Sequence, residues 1–110
     1  MKTSELSGAA LDWAVAKCEG KEPKHHEGWP MEEPSEYSTD WAWAGPIIER
    51  EEISVSREFS SNRVEWAAWT PAPIRDDAEA FGYGESSLIA AMRCYVASKL
   101  GDEVEIPEGL

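Results

Sequence analysis

Apolar residues recur at helical spacing near both ends of the chain and at a period of two in its middle. Leu11, Val15 and Cys18 fall at i, i+4 and i+7 and make one stripe. Ser7 is a good N-cap for this helix, and Gly20 sits where a left-handed C-cap belongs. Leu88, Met92, Tyr95 or Val96, and Lys99 or Leu100 repeat the pattern, with Ile89 widening the stripe. This second helix is predicted to start at the cap Ser86 and to end before Gly101. Between them, Ile53, Val55 and Phe59 alternate with Ser54, Ser56 and Glu58, and Arg57 shares the apolar face. Ser60-Ser61-Asn62-Arg63 reads as a four-residue hairpin turn. The return strand runs from Val64 to about Thr70, with Val64, Trp66 and Ala68 on one face, until Pro71 and Pro73 stop it.

The remaining segments read as loops. Residues 21–45 hold Pro23, Pro30 and Pro34 together with Gly28 and Gly45, a density that forbids a helix. They predict a long acidic, proline-rich loop with a short strand near 25–29. Within it, Ser38-Thr39-Asp40 caps a turn carrying Trp41 and Trp43, and Pro46 opens a separate turn over 46–51. Residues 71–85 read as a second polar loop ending in Phe81-Gly82-Tyr83-Gly84. Val104 and Ile106 suit a brief edge strand before Pro107, inside an acidic tail over 102–110. The expected architecture is a small α+β domain spanning 1–110, with two helices on one face of a short antiparallel sheet. The stripes Leu11/Val15/Cys18 and Leu88/Met92/Val96 are expected to pack on the Val64/Trp66/Ala68 face.

Composition narrows the function classes. The 110 residues are 42% hydrophobic and include six tryptophans, too apolar for a chain disordered throughout. No apolar run reaches the roughly 18 residues of a membrane span. Met1 to Leu6 has no apolar signal-peptide core, so an intracellular protein is expected. The net charge of −12 argues against direct binding to nucleic acid or an anionic membrane. Residues 25–45, 76–85 and 101–110 carry acids and no Lys or Arg, so the excess lies in the loops and the tail. Solvated loops account for it, with an acidic DNA mimic as the sharper alternative.

Candidate chemistry is sparse. His25 and His26 adjoin Glu27, but neighbouring side chains diverge and no second ligand pair follows, so no metal is expected. Cys18 and Cys94 belong to no CxxC pair and read as thiols packed like small hydrophobes. GxSxG, HExxH and GxxxxGK[ST] are all missing. No catalytic residue and no cofactor are therefore assigned, and the chain reads as a non-enzyme. Two binding readings remain. Trp41 and Trp43, with Asp40 and Glu36, fit a protein-interaction loop over 35–46, because tryptophan rimmed by polar residues favours hot spots. Tyr83, Gly84, Ser86 and Ser87 approach a helix N-terminus, and Arg93 lies on the same helix. That group suits a sponge for a nucleotide-like small molecule, since helix N-termini attract anions.

Three segments together resemble a known family. They are SELSGAALDWAVAKCEG (Ser4–Gly20), STDWAWAGPIIEREEI (Ser38–Ile53) and SSLIAAMRCYVASKLGDEVEIP (Ser86–Pro107). In this order they cover half of the chain and are similar to the NinX-like family of small tailed-bacteriophage and prophage proteins. The resemblance implies an accessory protein expressed in the cytoplasm of the infected bacterium. It carries over no reaction and no functional residue. With the residues, it leads to a non-enzymatic protein that modulates a host or defence factor by binding a host or phage protein; the sequence leaves homo-oligomerisation open.

Overall fold

The computed structural model describes residues 2–20, 36–60, 63–70 and 80–106. Helix α1 spans Gly8–Cys18, α2 Trp41–Arg50 and α3 Ser87–Leu100. Strands β1 (Ser54–Ser60), β2 (Arg63–Trp69) and β3 (Phe81–Gly84) form one antiparallel sheet in the order β1-β2-β3. The class is α+β, as the sequence pattern predicts.

Helix α3 begins and ends where its caps place it, whereas α1 starts after Ser7 without a capping bond from the Ser7 side chain. The Ser86 hydroxyl accepts the Ile89 amide at 3.1 Å, which satisfies one of the free donors of the first turn of α3. Gly20 and Gly101 adopt φ of +78° and +86°, conformations that glycine reaches without strain. The hairpin register pairs Val55 with Ala68, Arg57 with Trp66 and Phe59 with Val64, so the two predicted faces coincide. Ser60 pairs with Arg63 across the turn.

Helix α3 is the hub. It packs on all three strands and also meets α1 and α2. Leu88, Ala90, Ala91, Met92, Cys94, Tyr95 and Val96 are all buried, which covers far more than one stripe. Helix α1 reaches the core through α3, and Leu11, Val15, Trp13 and Ala14 are buried there. The small residues of α3 let its backbone approach both neighbours closely.

Three local expectations change. Residues 41–50 form one helix instead of two turns, because the Asp40 carboxylate caps it by accepting the Ala42 amide at 2.8 Å. Pro46 sits exposed inside it and only removes one backbone donor. Phe81–Gly84 is a strand and not the end of a loop, because it pairs with Trp66–Trp69. Its glycines face α3: a Cβ on Gly82 would collide with the Ala90 carbonyl oxygen and the Cys94 amide nitrogen. A Cβ on Gly84 would lie 2.6 Å from Ile89 Cγ2. Finally, Val104 and Ile106 form no strand; a single bridge joins Lys2 to Glu103. There the chain ends are tied together, since the Thr3 amide donates to Asp102 O (2.8 Å) and its hydroxyl to Gly101 O (2.6 Å). The predicted strand near 25–29, with His25 and His26, lies outside the described residues.

Candidate functional site

The interaction candidates Glu36, Asp40, Trp41 and Trp43 flank the start of α2, held by a tight turn over residues 36–40. The Glu36 carbonyl accepts the Thr39 and Asp40 amides at 3.1 and 2.8 Å. The Ser38 amide donates to Asp12 Oδ1 at 2.8 Å, which fastens the turn to α1. Burial raises the pKa of Asp12, while this Ser38 contact partly offsets the shift. Tyr37 is buried and meets Trp43 edge-on, with centroids 5.7 Å apart at 70°. Trp43 thus packs inward. Trp41 projects outward, 56% exposed, and Glu36 is exposed beside the same turn. Asp40 serves the helix cap.

The ligand candidates are arranged differently from one another. Tyr83, Gly84 and Arg93 line an open cleft of about 500 Å³ together with Ser4, Ser7, Glu65, Glu85 and Ile89. Ser86 and Ser87 are not among the residues lining it, and the Ser86 hydroxyl is occupied by its cap bond. Arg93 is a tie between segments: Nε donates to Leu6 O at 2.8 Å and a terminal nitrogen donates to Tyr83 O at 2.7 Å. Burial lowers its pKa, opposed by the nearby Glu85 carboxylate. Two carboxylates on the cleft wall work against a bound anion.

Sequence reasoning missed a polar knot between the helix ends. Arg50 forks onto Glu19 at 3.1 and 2.6 Å, and its Nε donates to Glu51 at 2.8 Å. The Tyr95 hydroxyl donates to Glu19 Oε2 at 2.5 Å, and Lys99 reaches Glu51 at 3.3 Å. Arg50 lowers the pKa of Glu51, and burial raises that of Tyr95. No spacing rule links residues 19, 50 and 95, so nothing local in the sequence could announce this group. It joins α1, α2 and α3 and is structural in its geometry.

Both cysteines are free thiols. Burial pushes Cys18 up to about 11 and Cys94 up to about 12, which suppresses the nucleophilic thiolate. Among the described residues, no helix is long and apolar enough to cross a membrane.

The sheet adds apolar surface that the sequence reading did not place. Phe81 and Tyr83 are 51% and 52% exposed on β3, and Trp69, half-buried, pairs with Phe81 across the strands. Among curated proteins no sequence matches the chain. The family model described as Bacteriophage P22, NinX, matches residues 2–99, and the chain belongs to this family of bacteriophage accessory proteins.

Proposed function

We propose that the protein works without catalysis, by binding a host or phage protein in the cytoplasm of the infected bacterium. Trp41 carries this reading. A large apolar side chain, 56% exposed, stands on the first turn of a helix whose start is capped by Asp40 and fastened to α1 through Ser38 and Asp12. The backbone that carries it is already fixed before contact, so binding has only the side chain left to order. The carboxylate of Glu36 supplies a polar neighbour of the kind that surrounds hot spots.

The ligand reading has one observation in its favour, the cleft lined by Tyr83, Gly84 and Arg93. Its acidic wall and the prior engagement of Arg93 weigh against a nucleotide-like anion.

Native mass spectrometry of tagged protein from infected cells tests the choice. A retained protein partner, lost from a folded Trp41→Ala variant, is the expected result. A retained small ligand with no protein overturns the reading.

A further inference from the structure

The outer face of the sheet, the one turned away from α3, is built in cross-strand rows. One row is Ser54, Trp69 and Phe81, and the next is Ser56, Ala67 and Tyr83. The third places Glu58 opposite Glu65, with Glu85 beyond the end of β3 sharing a cleft with Glu65 and Tyr83. Trp66, Ala68, Gly82 and Gly84 occupy the opposite face, against the core. An aromatic platform therefore runs into a row of carboxylates, with Ser60 opposite Arg63 as the last register pair of the hairpin beyond it.

Two features of that row need an explanation. Glu58 and Glu65 are directly opposed like charges, an arrangement that destabilises a sheet. Neither has an ion-pair partner among the described residues, although Arg50 and Lys99 neutralise Glu19 and Glu51 elsewhere. Arg93 lies in the same cleft, near Glu85, but spends its hydrogen bonds on the Leu6 and Tyr83 carbonyls. Glu58 and Glu65 therefore stand beside exposed aromatic rings with their charge uncompensated among the described residues.

We infer that this face docks an arginine-bearing segment of the partner protein, with guanidinium groups stacking on Tyr83 and Phe81 and forking onto Glu58, Glu65 and Glu85. The inference rests on the protein-binding reading above and adds a surface and a chemistry to it. Guanidinium fits both halves of the platform, since it stacks on aromatic faces and pairs with carboxylates in a planar fork. Charge decides against the other occupants. A second copy of this chain would bring another −12 to the contact, and nucleic acid or an anionic membrane would bring phosphates. A basic segment alone gains from the field.

The test uses the intact protein and a fluorescent peptide of alternating arginine and leucine, with matched lysine and glutamate peptides, read by anisotropy. The arginine peptide is expected to bind most tightly, more weakly as salt rises, and the glutamate peptide not at all. Glu58→Gln with Glu65→Gln should weaken the arginine peptide about fivefold or more. Phe81→Ser, at an exposed position, should weaken it too, while Asp102→Asn with Glu103→Gln should leave it unchanged. Circular dichroism confirms that each variant is folded. Equal weakening by the Asp102/Glu103 pair would show net charge alone and overturn the inference, as would equal affinity for lysine and arginine peptides. A dimer that Phe81→Ser dissociates would assign the face to a second copy and also overturn it. If the partner from infected cells is lost with Trp41→Ala but kept by the Glu58/Glu65 and Phe81 variants, this inference fails and protein binding stands. If no protein partner exists at all, both fail.

Discussion

Gly82 has no space for a side chain because Cys94 lies against it: an added Cβ would meet the Cys94 amide nitrogen and the Ala90 carbonyl oxygen. Both obstacles are backbone atoms of α3, so neither can rotate away. Gly82→Ala must therefore push β3 off the helix. Overpacking of this kind costs about 1–3 kcal/mol or more. Gly84→Ala should cost less, because its nearest obstacle is the movable Ile89 side chain. Urea denaturation of the two variants checks the order. Equal midpoints would show that β3 is not pressed onto α3 as described.

Met92 lies fully buried in the hub helix. Met92→Ala removes apolar contacts and leaves a cavity that α1 and the sheet can only partly close. The expected loss is about 2–5 kcal/mol. A melting temperature equal to that of the parent protein would contradict the central placement of α3.

Gly82, Gly84 and Met92 also mark the limit of what the sequence shows. The ends of α1 and α3 are legible because caps and periodicity are local: Ser86 caps, and Gly20 and Gly101 terminate. β3 was hidden because Phe-Gly-Tyr-Gly has little strand propensity of its own. It becomes a strand by pairing with Trp66–Trp69 and by using its glycines for contact with α3. Helix α2 was hidden by Pro46, whose missing donor costs one hydrogen bond that a capped, packed helix tolerates. At the candidate sites, sequence shows which aromatics exist but not their direction. Trp41 and Trp43 differ by two positions on a helix, so one projects outward while the other meets Tyr37. Arg93 carries no sequence mark of its ties to Leu6 and Tyr83, 87 and 10 positions away.

The buried thiols set an alkaline limit. Cys18 and Cys94 hold their protons up to about 11 and about 12, against 9.0 in the unfolded chain. Between those values the unfolded chain releases protons that the folded protein keeps. Their contribution is thus complete below about pH 9 and declines as pH rises toward 11–12. Tyr95, raised by burial and by its bond to Glu19, acts in the same direction at higher pH. Melting temperatures should fall from pH 9 to 11, and Cys94→Ala should flatten part of that fall. A pH-independent melting temperature over this range would refute the thiol burial.

Trp13 is buried, yet its indole Nε1 has no hydrogen-bond partner among the described residues. An orphaned buried donor costs about 1–3 kcal/mol. Trp13→Phe removes that cost while keeping most of the packing, so the two changes should cancel to within about 1 kcal/mol. Trp13→Ala has no such compensation and should cost about 3–5 kcal/mol. Chemical denaturation of both variants distinguishes them; a Phe variant as unstable as the Ala variant would mean that the indole nitrogen is satisfied in solution.

Trp41 and Trp43 provide the sharpest functional test, because their surroundings differ and their chemistry does not. Trp43 meets buried Tyr37 edge-on and packs against the core, so Trp43→Ala should destabilise the protein by about 3–5 kcal/mol if the site cannot collapse. Trp41 contributes mainly exposed surface, and Trp41→Ala should change stability by less than about 1 kcal/mol. Under the binding reading, that stable variant loses the partner recovered from infected cells. A structural role would require the opposite pairing, with Trp41→Ala unfolding the domain. Thermal melts and partner recovery, measured on both variants, separate the two outcomes. If Trp41→Ala is stable and still retains the partner, the contact surface lies elsewhere, and the outer sheet face around Phe81 and Tyr83 is the next place to cut.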